Sequence, residues 1–139
     1  MRTTVTLTHR SGLHCETTHP DQSLMAIDPG MATAADRGHS PLELLALAHG
    51  ACTVMMLVKA GKEIGLDLSE LPVDVTHEYR PGPPMLLESA HLRFHLPTQP
   101  TESQRSALLK GAALCPVHSA LRHDITVTFE LITPDKENS

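Results

Sequence analysis

Hydrophobic and polar positions alternate with a period of two over several short stretches and follow a helical period over two longer ones. Near the start, Val5 and Leu7 fall on one side of residues 3–8, with Thr4, Thr6 and Thr8 on the other, which predicts a half-buried strand. The alternation resumes over residues 13–17 after Ser11-Gly12, so a hairpin is expected. Residues 23–27 predict a third short strand, closed by the turn residues Asp28-Pro29-Gly30, and residues 31–39 read as a loop. Ser40-Pro41-Leu42-Glu43 then opens a helix: Ser40 can cap it, Pro41 suits its first turn, and Glu43 completes a Ser-x-x-Glu box. The helix is expected to run to about Ile64, where Gly65 can end it.

That helix is apolar nearly all round, from Leu42, Leu44 and Leu45 to Val54, Met55, Met56, Leu57 and Val58, so it must be buried on most sides. Glu43, His49, Gly50 and Lys59 interrupt the run 42–60, which favours a buried central helix over a membrane span. A small domain has limited interior for such a helix, so a partner subunit is expected to cover one face. Beyond it, Val73, Val75, His77 and Tyr79 alternate with Asp74, Thr76 and Glu78 in a strand that stops at Pro81-Gly82-Pro83-Pro84. The next strand sets Ala90, Leu92, Phe94 and Leu96 against His91, Arg93 and His95. Thr101-x-x-Gln104 is a second capping box, opening a helix through about Leu114 that Pro116 breaks or restarts. A final strand over 125–131 precedes a polar tail from Pro134. The order predicts one α+β domain spanning residues 1–139, without repeats.

Composition narrows the function. The 139 residues include no Trp, one Tyr and two Phe, so there is no aromatic platform for stacking bases, and a net charge of −5 opposes a phosphate backbone. Nucleic-acid binding is excluded on these grounds. Residues 1–10 hold no apolar run of a secretory signal, so a cytoplasmic location is expected, where the 3 cysteines stay reduced or cycle.

Two cysteines occupy apolar helical surfaces. Cys52 lies about three turns into the long helix, with Leu45, Ala48, His49, Met55 and Met56 near its face. Cys115 follows Leu108 and Ala112 on an apolar stripe; a helix restarting at Pro116 would leave it near a helix N-terminus, which lowers a thiol pKa. Either can equally be a small buried hydrophobe. Cys15 sits among polar strand residues and carries no expectation of chemistry. His49 and His118 each lie three residues from a cysteine, close enough for a Cys–His nucleophile pair if the backbone is helical. Neither a zinc-type spacing nor a phosphate loop nor a serine nucleophile elbow is present, so no metal or bound cofactor is expected.

The wording around these cysteines carries more than their spacing. Ser40-Pro41-Leu42-Glu43-Leu44-Leu45-Ala46-Leu47-Ala48-His49-Gly50-Ala51-Cys52-Thr53, with Cys115-Pro116-Val117-His118-Ser119-Ala120-Leu121 later in the chain, resembles the OsmC/Ohr family of osmotically inducible and organic-hydroperoxide-resistance proteins. Gly12-Leu13-His14-Cys15-Glu16, Gly65-Leu66-Asp67-Leu68 and the closing strand extend the resemblance over the whole chain. It implies an OsmC-like fold, with antiparallel sheet or sheets packed on a long central helix and a second helix, in an intertwined homodimer with active sites at the subunit interface. It also implies a thiol-dependent peroxidase. Cys52 matches the peroxide-attacking thiol that becomes a sulfenic acid, and Cys115 the resolving thiol that closes a disulfide for an external dithiol to reduce. Arg10, in Arg10-Ser11-Gly12, matches the arginine that holds the thiolate charge, with Arg37 the runner-up.

Two positions depart from the Ohr branch. Leu42 stands where that branch has a glutamate, and Glu43, one residue on, is better placed to cap the helix; Thr53 replaces an aromatic residue after the reactive cysteine. Both departures fit the more diverse OsmC-like members. Two other readings remain open: a non-catalytic dimer of the same fold that binds an apolar small molecule, and a hydrolase using Cys52 with His49.

Overall fold

The computed structural model describes residues 1–30 and 37–134 and divides into two compact units, Met1–Leu45 and Ala46–Ser139. The expected loop over 31–39 falls mostly outside the described residues, as do residues 135–139 of the expected tail.

In the smaller unit, β1 (Thr8–Ser11), β2 (His14–Thr18) and β3 (Leu24–Ile27) form an antiparallel sheet in that order. The hairpin forms where Ser11-Gly12 predicts it, with Gly12 at φ +54°, a left-handed turn conformation that glycine adopts without strain. The first strand, however, starts at Thr8 rather than residue 3. Val5 and Leu7 are exposed, so no buried face fixes the register of the stretch before it, and one hydrogen bond from the Thr17 hydroxyl to the Thr6 carbonyl, 2.7 Å, is its tie to the sheet. The chain that follows β3 is pinned by Asp28, whose Oδ2 accepts the backbone N–H groups of Arg37 (2.7 Å) and Gly38 (2.9 Å). The capping box forms as expected: Glu43 N–H donates to Ser40 Oγ, and Ser40 N–H to Glu43 Oε1, each at 3.1 Å.

Helix α1 (Pro41–Glu63) runs from this cap into the larger unit and ends before Gly65, at φ +80°. Among the described residues it is the one helix long and apolar enough to cross a membrane, and its burial is not the all-round burial expected. The fully enclosed positions are His49, Gly50, Thr53, Leu57 and Gly61, a stripe at near four-residue spacing, whereas Leu42, Leu47 and Met55 face outward. Small and polar residues line the inner stripe because the neighbouring backbones come close. A Cβ on Gly50 would meet Val75 Cγ2 at 2.5 Å, and one on Gly111 would meet the Ala60 Cβ at 2.4 Å.

The larger unit holds β4 (Val73–Arg80), β5 (Leu86–His95) and β6 (Thr126–Ile132) in one sheet, with α2 (Glu102–Ala112) and α3 (Pro116–Leu121) between the last two strands. The β4–β5 pair is antiparallel, but β5 and β6 run parallel, Leu92 opposite Phe129 and Phe94 opposite Leu131. A parallel pair needs a crossover, and α2 with α3 supplies it. Leu57, Leu68, Ala90, Leu92, Phe94, Leu108 and Leu131 make the core, with Val73 and Val75 packed against it. Thr101 caps α2 through the full box with Gln104.

This close packing sets a testable sign. Ala in place of Gly ordinarily stabilises a helix by about 1 kcal/mol. Gly111→Ala should instead lower stability by about 1–3 kcal/mol, because its methyl has no room against Ala60 on α1. Urea denaturation compares the two; a variant as stable as the parent or more so would show that α1 and α2 are not in this contact.

Candidate active site

Cys115 is the N-cap of α3, where Pro116 starts the new helix, as the sequence predicts. Its sulfur is fully buried and accepts the His118 N–H at 3.3 Å. Cys52, half-buried on α1, lies near enough for the two thiols to influence each other's ionisation. The two sequence-predicted cysteines are therefore brought together, both in the thiol form.

The pair is electrostatically asymmetric. Burial pushes both thiols up, because a thiolate without water is poorly solvated. At Cys115 this is outweighed by hydrogen bonds from the Cys52 thiol, the His118 N–H, the Thr53 hydroxyl and the Val117 N–H, which together bring it below the usual thiol range. At Cys52, burial, the thiol bond and the nearby Cys115 charge leave it raised. These opposite directions favour the first negative charge of the pair on Cys115 and the remaining proton on Cys52.

Two residues that sequence reasoning passed over complete the site. Thr53, fully buried, donates from Oγ1 to the His49 carbonyl at 2.7 Å. Its four-residue spacing from His49 and Leu57 on the inner stripe was the available signal. His77, on the inward face of β4, hydrogen-bonds His49, Nε2 to Nδ1, at 3.0 Å. A lone polar side chain on an apolar strand face was its signal.

His49 and His118 do not pair with the cysteines through their rings. They stack on each other instead, centroids 6.1 Å apart, with His77 tilted against His49 at 5.3 Å and Phe129 against His118 at 5.0 Å. His49 Nε2, His77 Nδ1 and His118 Nδ1 are buried without a hydrogen-bond partner. Burial drives all three imidazoles toward the neutral form; His49 is held at about 4, with His77 and His118 adding repulsion. Among the described residues, no three His, Cys, Asp or Glu groups are arranged to hold a metal ion.

The remaining sequence candidates make the following contacts within their own units. Arg10 is exposed on β1, its Nε 3.2 Å from Glu16 Oε2. Glu16 Oε1 in turn binds His14 Nε2 at 3.0 Å, and His14 Nδ1 binds the buried Asp28 at 2.7 Å. A carboxylate beside each ring nitrogen favours the charged ring, and Glu16 followed by Asp28 raises its pKa. Arg37 is exposed, and its backbone is bound by Asp28. Glu43 is occupied by Ser40 and by His39 at 3.2 Å. Cys15 sits in β2 opposite Ile27. His91 and His95 lie on the outer sheet face against Glu130 (2.9 Å) and Asp74 (2.7 Å).

With this geometry in hand, comparison with known proteins gives a consistent picture. The sequence model of the OsmC-like protein family matches residues 34–130. The fold matches a crystal structure of a candidate osmotic stress induced and detoxification response protein from Psychrobacter arcticus 273-4, at a TM-score of 0.81 and 17% identity over 94% of this chain and 96% of that one. An OsmC like protein from Mycoplasma pneumoniae matches at TM-score 0.76 and 18% identity, covering 95% and 98%. The organic hydroperoxide resistance protein OhrB of Bacillus subtilis matches at TM-score 0.69 and 20% identity, covering 93% and 98%. No curated protein matches the sequence closely enough to count as a relative.

The imidazole trio fixes a pH dependence. A histidine whose folded pKa lies below its unfolded value contributes stability that is complete above about 6.5 and is lost as the pH falls toward the folded value. Unfolding free energy should therefore drop between pH 6.5 and 4, by about 3 kcal/mol at pH 4 from His49 alone. Urea titrations at a series of pH values check this; a flat profile across the window would mean that the rings are solvated.

Proposed function

We propose a function from one established premise: the chain belongs to the OsmC-like protein family. It is a thiol-dependent peroxidase of a single OsmC-like domain that reduces organic hydroperoxides through Cys52 and Cys115. The observation that carries this reading is the proximity of these two thiols, one half-buried and one sealed, each shifting the ionisation of the other.

The exposure of the two sulfurs divides their roles. Cys52 attacks because it is the one a substrate can reach; Cys115 resolves because it is enclosed. Moving the shared proton from Cys52 to Cys115 gives a Cys52 thiolate without recruiting an outside base. That thiolate takes the distal oxygen of the hydroperoxide, the O–O bond breaks, and the departing alkoxide takes the Cys115 proton to leave as the alcohol. Cys115, now a thiolate, attacks the sulfenic sulfur of Cys52: the S–S bond forms, the S–O bond breaks, and hydroxide leaves and is neutralised by solvent. An external dithiol then restores the pair, with no bound cofactor or metal. Arg10, which pairs with Glu16, is the proposed cation for the Cys52 charge.

The outward Leu42, Leu47 and Met55 of α1 support a homodimer in which a second copy covers this face and provides an apolar pocket for the tail of the substrate. The cytoplasm, where dithiol reductants keep cysteines cycling, is the proposed compartment. Nucleic acid and membrane are not proposed partners.

The reading is tested by mass spectrometry of the reduced protein after one equivalent of cumene hydroperoxide. A Cys52–Cys115 disulfide is expected in the parent, and sulfenic or sulfinic acid at Cys52 in the Cys115→Ser variant. Thiols that stay reduced would overturn the peroxidase in favour of a binding protein; an acyl adduct at Cys52 with activated esters, lost in His49→Ala, would favour a hydrolase.

A further inference from the structure

We infer that His14 is a positioning residue for the reaction proposed above: its ring, anchored on the buried Asp28, holds the Glu16 carboxylate where it directs Arg10. The inference rests on the two-thiol reading, with Arg10 as the cation for the Cys52 charge, and deepens it by assigning what orients that cation.

The four side chains form one row within the smaller unit. Asp28 accepts the backbone N–H groups of Arg37 and Gly38 at Oδ2, and its own N–H donates to the His39 carbonyl at 3.2 Å, which fixes it in place. Its Oδ1 lies 2.7 Å from His14 Nδ1, His14 Nε2 lies 3.0 Å from Glu16 Oε1, and Glu16 Oε2 lies 3.2 Å from Arg10 Nε. The local form of β1 serves the last contact. Thr8 stands opposite Glu16 and His9 opposite Cys15, but the register then shifts, and Ser11 rather than Arg10 stands opposite His14. Arg10 is the extra residue of a β-bulge, a device that re-aims a side chain.

The anchor makes the Arg10 contact definite. An exposed arginine paired with a free carboxylate is weakly held, because two long side chains must both be immobilised. Glu16 is not free: His14 occupies its other oxygen, and Asp28 occupies the far side of the ring. The ring can donate to both carboxylates only while it is charged, since a neutral imidazole has one N–H. Glu16 and then Asp28 favour that charged ring and raise its pKa from 6.5. Other titratable groups of the neighbouring elements are engaged apart from it. His9 of β1 bonds the Gly12 carbonyl at 2.8 Å, and His39 pairs with Glu43 at 3.2 Å. As the pH rises through the raised value, the ring gives up one proton. The Asp28 side chain is 3% exposed and depends on protein donors, whereas Glu16 at 21% can turn to water. The proton that leaves is therefore the one on Nε2, which releases Glu16 and Arg10 with it.

The test measures the rate constant for Cys52 oxidation by cumene hydroperoxide against pH in the parent, His14→Gln, Glu16→Gln and the double variant. Taking each variant as a ratio to the parent cancels the thiol ionisation they share. His14→Gln should react about tenfold more slowly than the parent near about pH 6 and converge on it near about pH 9. Glu16→Gln should lose as much near the lower pH, and the double variant no more than either. Because His14→Gln also removes a donor from Asp28, the parent supplies a second measurement. Its Arg10 Nε–H, followed by nuclear magnetic resonance, should lose protection from solvent exchange with the same midpoint as the His14 ring. A rate ratio independent of pH, losses that multiply in the double variant, or separate midpoints for His14 and Arg10 would overturn the inference. An Arg10→Met protein that is oxidised as fast as the parent would overturn the thiolate-cation reading instead, while the two midpoints still decide whether His14 orders Arg10.

Discussion

A sulfur atom closed to water can carry negative charge only where the protein replaces the lost solvent with donors. Cys115 meets that condition at the start of α3, where the His118 and Val117 N–H groups have no helical partner, and against the Cys52 thiol and the Thr53 hydroxyl of α1. Because the donors come from two elements, the acidity of the pair depends on how closely α1 and α3 are packed.

The close packing has its own physical source. The inner stripe of α1 is made of His49, Gly50, Thr53, Leu57 and Gly61, and the glycines let Val75 and Leu68 approach to distances that a methyl group would forbid. The same stripe sends His49 toward His77 and His118, so α1 carries one member of the imidazole cluster, His49, and one of the dithiol, Cys52, a turn apart. The cluster is neutral at physiological pH and adds no charge beside the thiols, which leaves the donor set to decide where the first proton is lost. The outer face of α1 is apolar for a different reason: Leu42, Leu47 and Met55 find no cover within the described residues.

Much of this was legible in the sequence, because it rests on local rules. Both capping boxes, the glycine that ends α1 and the restart at Pro116 are short-range signals, and each forms as its residues predict. The family wording around Cys52 and Cys115 identified the pair that the fold brings together. Other features depend on tertiary contact and were not legible. Helical periodicity shows that α1 is apolar, but not that His49, Gly50, Thr53, Leu57 and Gly61 point inward while Leu42, Leu47 and Met55 point outward. Alternation finds β5 and β6 without their relative direction, which the two intervening helices determine. Thr53 and His77 acquire meaning from partners 62 and 28 residues away in sequence, Cys115 and His49. Val5 and Leu7 fail in the opposite sense: they alternate as a strand does, but no packed face receives them.

The central claim is that Cys52 and Cys115 share one proton and titrate as a single unit. Thiolate absorbance of the reduced Cys15→Ser protein across the pH range measures this directly. The account predicts two well-separated ionisations, the first below the ordinary thiol range and the second above it. Two thiolates appearing together near the ordinary thiol value would contradict it.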